Sequence, residues 1–197
     1  MNIIERNTIG EVWEDAFDFI IKNGNIIQDD DQELIEILHL NLIINEPDDE
    51  DPVALTQDSQ IREWMNNNFT EIKKVPELNN SWSYGWRLYY YLGINQVQWV
   101  VEKLKKKPES KSATISMLLE PGKESYVPCV SLLDFKIRND RLLLTATCRS
   151  LDMGRKAIHN LCNLAAIAKT VAKNLNLQHY KLIIHITSAH IYKKDLK

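Results

Sequence analysis

Cysteine is scarce in this chain of 197 residues: there are three, Cys129, Cys148 and Cys162. An odd number without framework spacing excludes a disulfide scaffold and points to a reducing compartment. No Cys-x-x-Cys pair and no histidine–cysteine cluster has zinc spacing, so no structural metal is expected. There is no excess of positive charge either. Lysine and arginine total 24 against 27 acids, a formal net charge of -3, and the bulk footprint of a nucleic-acid binder is missing. No apolar run approaches the length needed to span a membrane. Charges at Glu5, Arg6 and Glu11 interrupt the opening MNIIERNTIGEVW before a secretory apolar core can form. A cytoplasmic protein is the expectation. Repeats and low-complexity tracts are absent, and the length favours a single domain over residues 1–197.

What is present is enough apolar sequence, 44% of the residues, to bury one core. Thr8 can cap a helix with Glu11 three residues later, and Trp13, Ala16, Phe17 and Ile20 supply an apolar stripe as far as Asn23-Gly24. An acidic turn, Asp29-Asp30-Asp31, leads into ELIEILHLNLIIN, whose end alternates like a strand through Leu38, Leu40, Leu42 and Ile44. The acidic, proline-bounded EPDDEDP, Glu46 to Pro52, is expected to be a solvated loop. A helix is expected around Ile61 to Phe69, then a loop holding Pro76 and Asn79-Asn80. An amphipathic helix from Gln96 to Lys105 follows, with the basic run KLKKK favouring its C-terminal dipole. Ala113 to Glu120 is expected as a strand, followed by a Pro121-Gly122 turn. Val130 to Ile137 and Leu142 to Cys148 flank Arg138-Asn139-Asp140-Arg141 as a hairpin. Ala157 to Leu175 is the longest helix, and KLIIHITSAHIY a last buried strand. The class is α+β with a mixed or mostly antiparallel sheet.

An isolated cysteine is most often a packing residue. Cys129 differs because Pro128 places it at a strand's start, where a thiol can face a cleft. With the hairpin turn centred on Asn139-Asp140, Cys129 and Arg149 fall opposite one another within about a residue. A guanidinium beside a thiol favours the thiolate. Arg149-Ser150 can also present a fork and a hydroxyl to an anion such as phosphate, with a surface ion pair to Asp152 as the plain alternative. His190 and Tyr192 alternate with Ile191 and so face the same side. Such a pair can bind a sugar hydroxyl or satisfy an interior hydrogen bond.

Taken together, the stretch from about Trp82 to Tyr192 resembles the thymidylate synthase family, which includes pyrimidine-nucleotide hydroxymethylases. It is most similar to the short archaeal members. The resemblance is carried by Tyr84-Gly85 with Arg87-Leu88, the segment NQVQWVVEKLKKKPES, Pro128-Cys129, Arg149-Ser150-Leu151-Asp152, Asn160 eleven residues past Arg149, and Ser188 to Tyr192 (SAHIY). The N-terminal third is similar more weakly. The resemblance implies a thymidylate synthase-like α+β fold, with a largely antiparallel mixed sheet covered by helices on one face, and a homodimer packed through its sheets. It implies that Cys129 adds to C6 of a pyrimidine nucleotide and that C5 receives the one-carbon unit of 5,10-methylenetetrahydrofolate. Arg149 would activate Cys129 and, with Ser150, bind phosphate. Asn160 would read the O4 and N3–H edge of the base, which leans towards uracil and dUMP. Asp152 would lie on the folate side, His190 and Tyr192 at the sugar, and Tyr84 where a tyrosine helps remove the C5 proton.

The sequence departs from that family at several points. The paired arginines expected after the basic helix are replaced by PESKSA, leaving Lys111 and Ser112. Acids stand in NGNIIQDDDQ, where an early arginine is expected. MGRKAIH replaces a glycine-rich turn, with Arg155 and Lys156 as candidate replacements for lost positive charge. The sequence ends five residues past Tyr192, where the family's closing segment lies over folate. A truncated chain, or a folate closure made in another way, is expected there. Three functions follow: a divergent C5-alkylating enzyme on a uridylate, a hydroxymethylase of another pyrimidine nucleotide or nucleoside, and a non-catalytic nucleotide-binding homologue that kept the fold.

Overall fold

The computed structural model of the chain describes residues 2–119, 122 and 126–196. Its first strand, β1 (Asn2–Arg6), runs into α1 (Ile9–Asn23), which starts at the capping box expected from the sequence. Thr8 Oγ1 accepts from Glu11 N, and the Glu11 carboxylate accepts from Thr8 N at 3.0 Å. The line that α1 buries is Ile9, Val12, Ala16 and Ile20. Trp13 and Phe17, expected on that stripe, flank it half-buried, and the Trp13 indole N–H donates to Met153 O at 2.8 Å. β2 (Asn25–Asp29) and β3 (Gln32–Ile44) form a hairpin through the acidic turn, with Asp30 in the left-handed region.

The EPDDEDP segment is not simply a solvated loop, because Asp51 is buried. Its Oδ1 caps α2 (Pro52–Thr56) through Val53 N and Ala54 N, and its Oδ2 accepts from Gly10 N at 3.0 Å. One carboxylate thus ties together the N-termini of α1 and α2. Gly10 permits the approach: a Cβ there would lie 2.5 Å from Val53 Cγ2. Asp51→Ala strands three N–H groups and is expected to cost about 3 kcal/mol, read as a lower urea midpoint at unchanged slope.

α3 (Ser59–Thr70) is capped by Asp58, and a short hairpin of β4 (Lys74–Val75) and β5 (Ser81–Trp82) follows. α4 (Tyr84–Tyr89), which the sequence pattern did not suggest, carries the buried Arg87, whose guanidinium donates to Trp82 O and Met117 O. α5 (Gln96–Lys106) has lysines in its last turn. β6 is only Thr114–Ser116; the expected strand end at Glu120 and Pro121 of the expected turn lie outside the described residues. β7 (Val130–Arg138) and β8 (Arg141–Asp152) turn through Asn139 and Asp140, both at positive φ, as a two-residue hairpin requires. α6 (Ala157–Asn174) then returns the chain to β9 (His179–Tyr192).

The sheet order is β1-β3-β9-β8-β7-β6, with β2 paired to β3. The β1/β3 and β8/β9 pairs are parallel and the other pairs antiparallel, so the fold is α+β with a mixed sheet. The core lies between this sheet and α1, α5 and α6. There Leu142, Leu144, Leu182, Ile184 and Ile186 meet Leu161, Leu164, Ala168 and Val171. Leu142 and Leu144 are both fully buried in the chain's own core, so neither contributes to an exposed sheet face. Leu132 on β7 and Leu38 on β3 are exposed.

Candidate active site

The site arises where the sheet's alternation breaks. Along β8 burial alternates through Leu142, Leu144, Ala146 and Cys148, then moves by one residue to Leu151. Along β9 it alternates through Leu182, Ile184 and Ile186, then moves to Ala189 and Ile191. The two breaks are at one level, because Cys148 pairs with Ile186 and Ser150 with Ser188. In β7 a bulge between Val130 and Leu132 lies beside them, and in β3 His39 takes a positive φ. A strand's side chains have period two, so each break transfers residues from the core to a cavity.

That cavity, about 540 Å³, is lined by Cys129, Arg149, Ser150, Asp152, Asn160, Ser188, His190 and Tyr192, together with Asp29, Glu36, Tyr126 and Lys156. Its volume falls in the range of small-molecule sites, roughly 300–1,000 Å³. Seven of the nine residues singled out in the sequence therefore meet in one place. Tyr84 and Lys111 do not line it. Tyr84 is buried, its hydroxyl accepting from Val130 N at 3.0 Å and its ring stacked on Phe69. Lys111 lies in a separate hollow with Lys103, Lys106 and Lys107 at the end of α5.

Cys129 is half-buried, and Arg149 N donates to its carbonyl at 2.8 Å, which puts the two residues opposite one another. The guanidinium itself is turned elsewhere. Nε and Nη2 donate to Val127 O at 3.0 and 2.6 Å, and Nη1 to Ser150 Oγ at 3.2 Å. Ser150 Oγ in turn donates to Cys129 Sγ at 3.5 Å, so the positive charge reaches the sulfur through a hydroxyl. A second hydroxyl, Tyr126 Oη, is also 3.5 Å from Sγ. Sequence reasoning missed Tyr126, since nothing about its spacing from Pro128-Cys129 marks it.

Asn160, in the first turn of α6, spends one Nδ2–H on Lys156 O at 3.1 Å. Its other N–H and its Oδ1 remain for a ligand. Across the cavity Tyr192 Oη donates to Asp29 Oδ2 at 3.3 Å, Ser188 Oγ donates to Glu36, and the His190 and Tyr192 rings meet edge to face. Burial lifts the Asp152 carboxyl above its ordinary range, opposed by His190 and Lys156. Burial lowers the pKa of His190, opposed first by Asp152. His159, buried behind the site with an unpartnered Nε2, is also lowered by burial.

These two histidines give the fold a pH dependence. In each, the unfolded chain takes up a proton near 6.5, before the folded state does. Their contribution is complete above that pH and is lost as pH falls below it. Asp152 acts oppositely in the more acid window above 3.8, where the folded state holds its proton longer. The melting temperature is expected to fall between pH 7 and pH 5. His159→Leu, which removes one titration and an orphaned nitrogen, should flatten that slope.

A cysteine at the head of a β-hairpin, opposite an arginine and lining a polar cavity that also holds an amide, defines a class of site suited to nucleophilic addition to a small ring. Comparison with known proteins gives the class its family. The thymidylate synthase family model matches residues 38–197. A Methanosarcina mazei protein named "Putative thymidylate synthase" is 29% identical over 198 residues, covering 98% of this chain and 90% of that protein. A protein of the same name from Methanothermobacter thermautotrophicus is 29% identical, covering 98% of this chain and 95% of its own, and one from Methanopyrus kandleri is 26% identical, covering 98% and 94%. The chain belongs to the thymidylate synthase family. No described helix is long and apolar enough to cross a membrane.

Proposed function

We propose that the protein is a one-carbon transferase acting at C5 of a uracil nucleotide, of which dUMP is the first to test. The observation that carries this reading is Cys129 Sγ, held by Ser150 and opening on the same cavity as the Asn160 amide. The thiolate adds to C6 of the base. As the S–C6 bond forms, the C5=C6 electron pair moves towards O4 and makes C5 a carbon nucleophile. Asn160 donates to O4 and accepts from N3–H, stabilising that charge where it develops. Ser150 and the N–H groups that Arg149 has left free hold the phosphate, with Lys111 as a candidate from a second copy. His190 and Tyr192 hold the sugar, and Tyr84 supports the nucleophile's strand.

The residues fit 5,10-methylenetetrahydrofolate. A hollow of about 350 Å³, lined by Ile61, Trp64, Leu78, Arg155 and Lys156 and also by Asp58, Gln60 and Glu77, shares Leu78 and Lys156 with the main cavity. Trp64 and Leu78 suit an aromatic body, Lys156 a carboxylate tail, and Asp152 a polar ring edge; Arg155 is held by Asp58 and Asp195 and would have to leave them to join Lys156. When bound, folate supplies the one-carbon unit. A second copy of the chain is expected on the open sheet face, where Leu132 and Leu38 are exposed, and sedimentation equilibrium at micromolar concentration should report a dimer.

The test is release of tritium from C5-labelled dUMP into water, dependent on methylenetetrahydrofolate. Among the described residues, Asp29, Glu36 and Asp152 share the cavity with two cations, Arg149 and Lys156, and this balance favours a second reading. That balance suits hydroxymethyl transfer to another pyrimidine nucleotide or to a nucleoside without phosphate, and release from cytosine substrates in the same assay would select it. Nucleotide binding without release from any substrate would leave the non-catalytic homologue.

A further inference from the structure

The reaction proposed above gives no role to Tyr126, three residues before Cys129 and on the cavity wall. Its hydroxyl is 3.5 Å from Cys129 Sγ, the same distance as the Ser150 hydroxyl. Arg149 connects the two partners: its guanidinium carbon lies 5.8 Å from the centre of the Tyr126 ring while Nη1 donates to Ser150 Oγ. A cation over a tyrosine face holds the ring in place. We propose that Tyr126 is a positioning residue for the Cys129 nucleophile, donating its phenol hydrogen bond to the sulfur anion alongside Ser150. The inference rests on Cys129 being the nucleophile. It also gives Arg149 a different task from direct ion pairing, since the arginine acts on the sulfur through two hydroxyl groups that it orients.

The phenol keeps its proton throughout. Burial pushes the Tyr126 pKa upward, with the nearby Cys129 sulfur adding to the effect, so the hydroxyl is a donor and not a base over the working range. As the thiolate attacks, a sulfur lone pair becomes the S–C6 bond and the ring's π pair moves towards O4. As product leaves, the S–C6 pair returns to sulfur and the Tyr126 O–H···S bond is restored. Sulfur is a large, weak acceptor whose lone pairs point in several directions. Two hydroxyl donors hold it in one rotamer and leave the remaining lone pair to the ligand.

The experiment is alkylation of the full chain by iodoacetamide across a pH series, with the modified peptide read by mass spectrometry. Cys148 and Cys162 are buried, so early modification reports Cys129. Tyr126→Phe keeps the ring under Arg149 and removes only the hydroxyl. It is expected to slow alkylation about tenfold at pH 7 and to move the reaction profile to the alkaline side. Should that variant fail to fold, 3-fluorotyrosine placed at position 126 decides instead, because a more acidic phenol is a stronger donor and should move the profile to the acid side. A profile unmoved by either change overturns the inference, as does a rate lowered equally at every pH, which is the signature of a packing role alone. Alkylation needs neither pyrimidine nor folate, so a failure of the proposed reaction would show separately, as a missing adduct with a 5-fluoropyrimidine nucleotide.

Discussion

If the proposed reaction holds, the intact chain gives a covalent complex with 5-fluoro-2′-deoxyuridine monophosphate and methylenetetrahydrofolate, and Cys129→Ala is expected to abolish it and to lower tritium release on the order of a thousandfold or more. A fluorine at C5 cannot leave as a proton does, so the reaction stops with the ring attached to sulfur, and intact mass reads the adduct directly. No other thiol can take over. Cys148 is fully buried with its pKa pushed up by burial, and Cys162 is buried with a pKa of about 12 from the same cause. Neither lines the cavity. The substitution should leave the fold intact, because Cys129 is half-buried and the cost of truncating it is small beside that of a core residue. An adduct that persists in the alanine variant would place the nucleophile elsewhere and remove the basis of the proposed reaction.

The part of this site that was legible in the sequence was the part fixed by local chemistry. Asn139-Asp140 pins a two-residue turn, and from there the hairpin register can be counted back to Cys129 and Arg149. The Thr8–Glu11 capping box sets the start of α1 for the same reason. What escaped was long-range. Asp51 reads as one acid among several in EPDDEDP, and only the packing of α1 against α2 gives its carboxylate three N–H partners. Asp29 reads as part of a turn, yet the β2–β3 hairpin delivers it to the Tyr192 hydroxyl. The break in alternation was written in the sequence as a change of apolar parity, from Cys148 to Leu151 and from Ile186 to Ala189. Its meaning depends on the two strands being neighbours, which neither strand reveals alone. The guanidinium of Arg149 shows the same limit from the other side, since the backbone pairing was countable but the side chain's turn towards Val127 O was not.

Asn160→Asp is expected to turn the proposed preference for uracil towards cytosine. The amide side chain is almost completely buried, and its Nδ2 already holds Lys156 O, so one N–H and one carbonyl oxygen are left to meet the ring. Uracil presents O4 as acceptor and N3–H as donor, and the amide satisfies both. Cytosine presents an amino group at C4 and an unprotonated N3, against which the same amide must turn over and surrender its bond to Lys156 O. An ionised carboxylate at 160 accepts from the cytosine amino group but faces uracil O4 with like polarity, and the first turn of α6 favours its charge. Matched base-edge contacts discriminate by roughly 10- to 100-fold. Calorimetry should therefore show dUMP affinity falling by about that factor and dCMP affinity rising, with tritium release following the same order. Equal losses for both bases would mean that position 160 supports the wall of the cavity without reading the ring, and the preference for uracil would then need another donor within reach of O4.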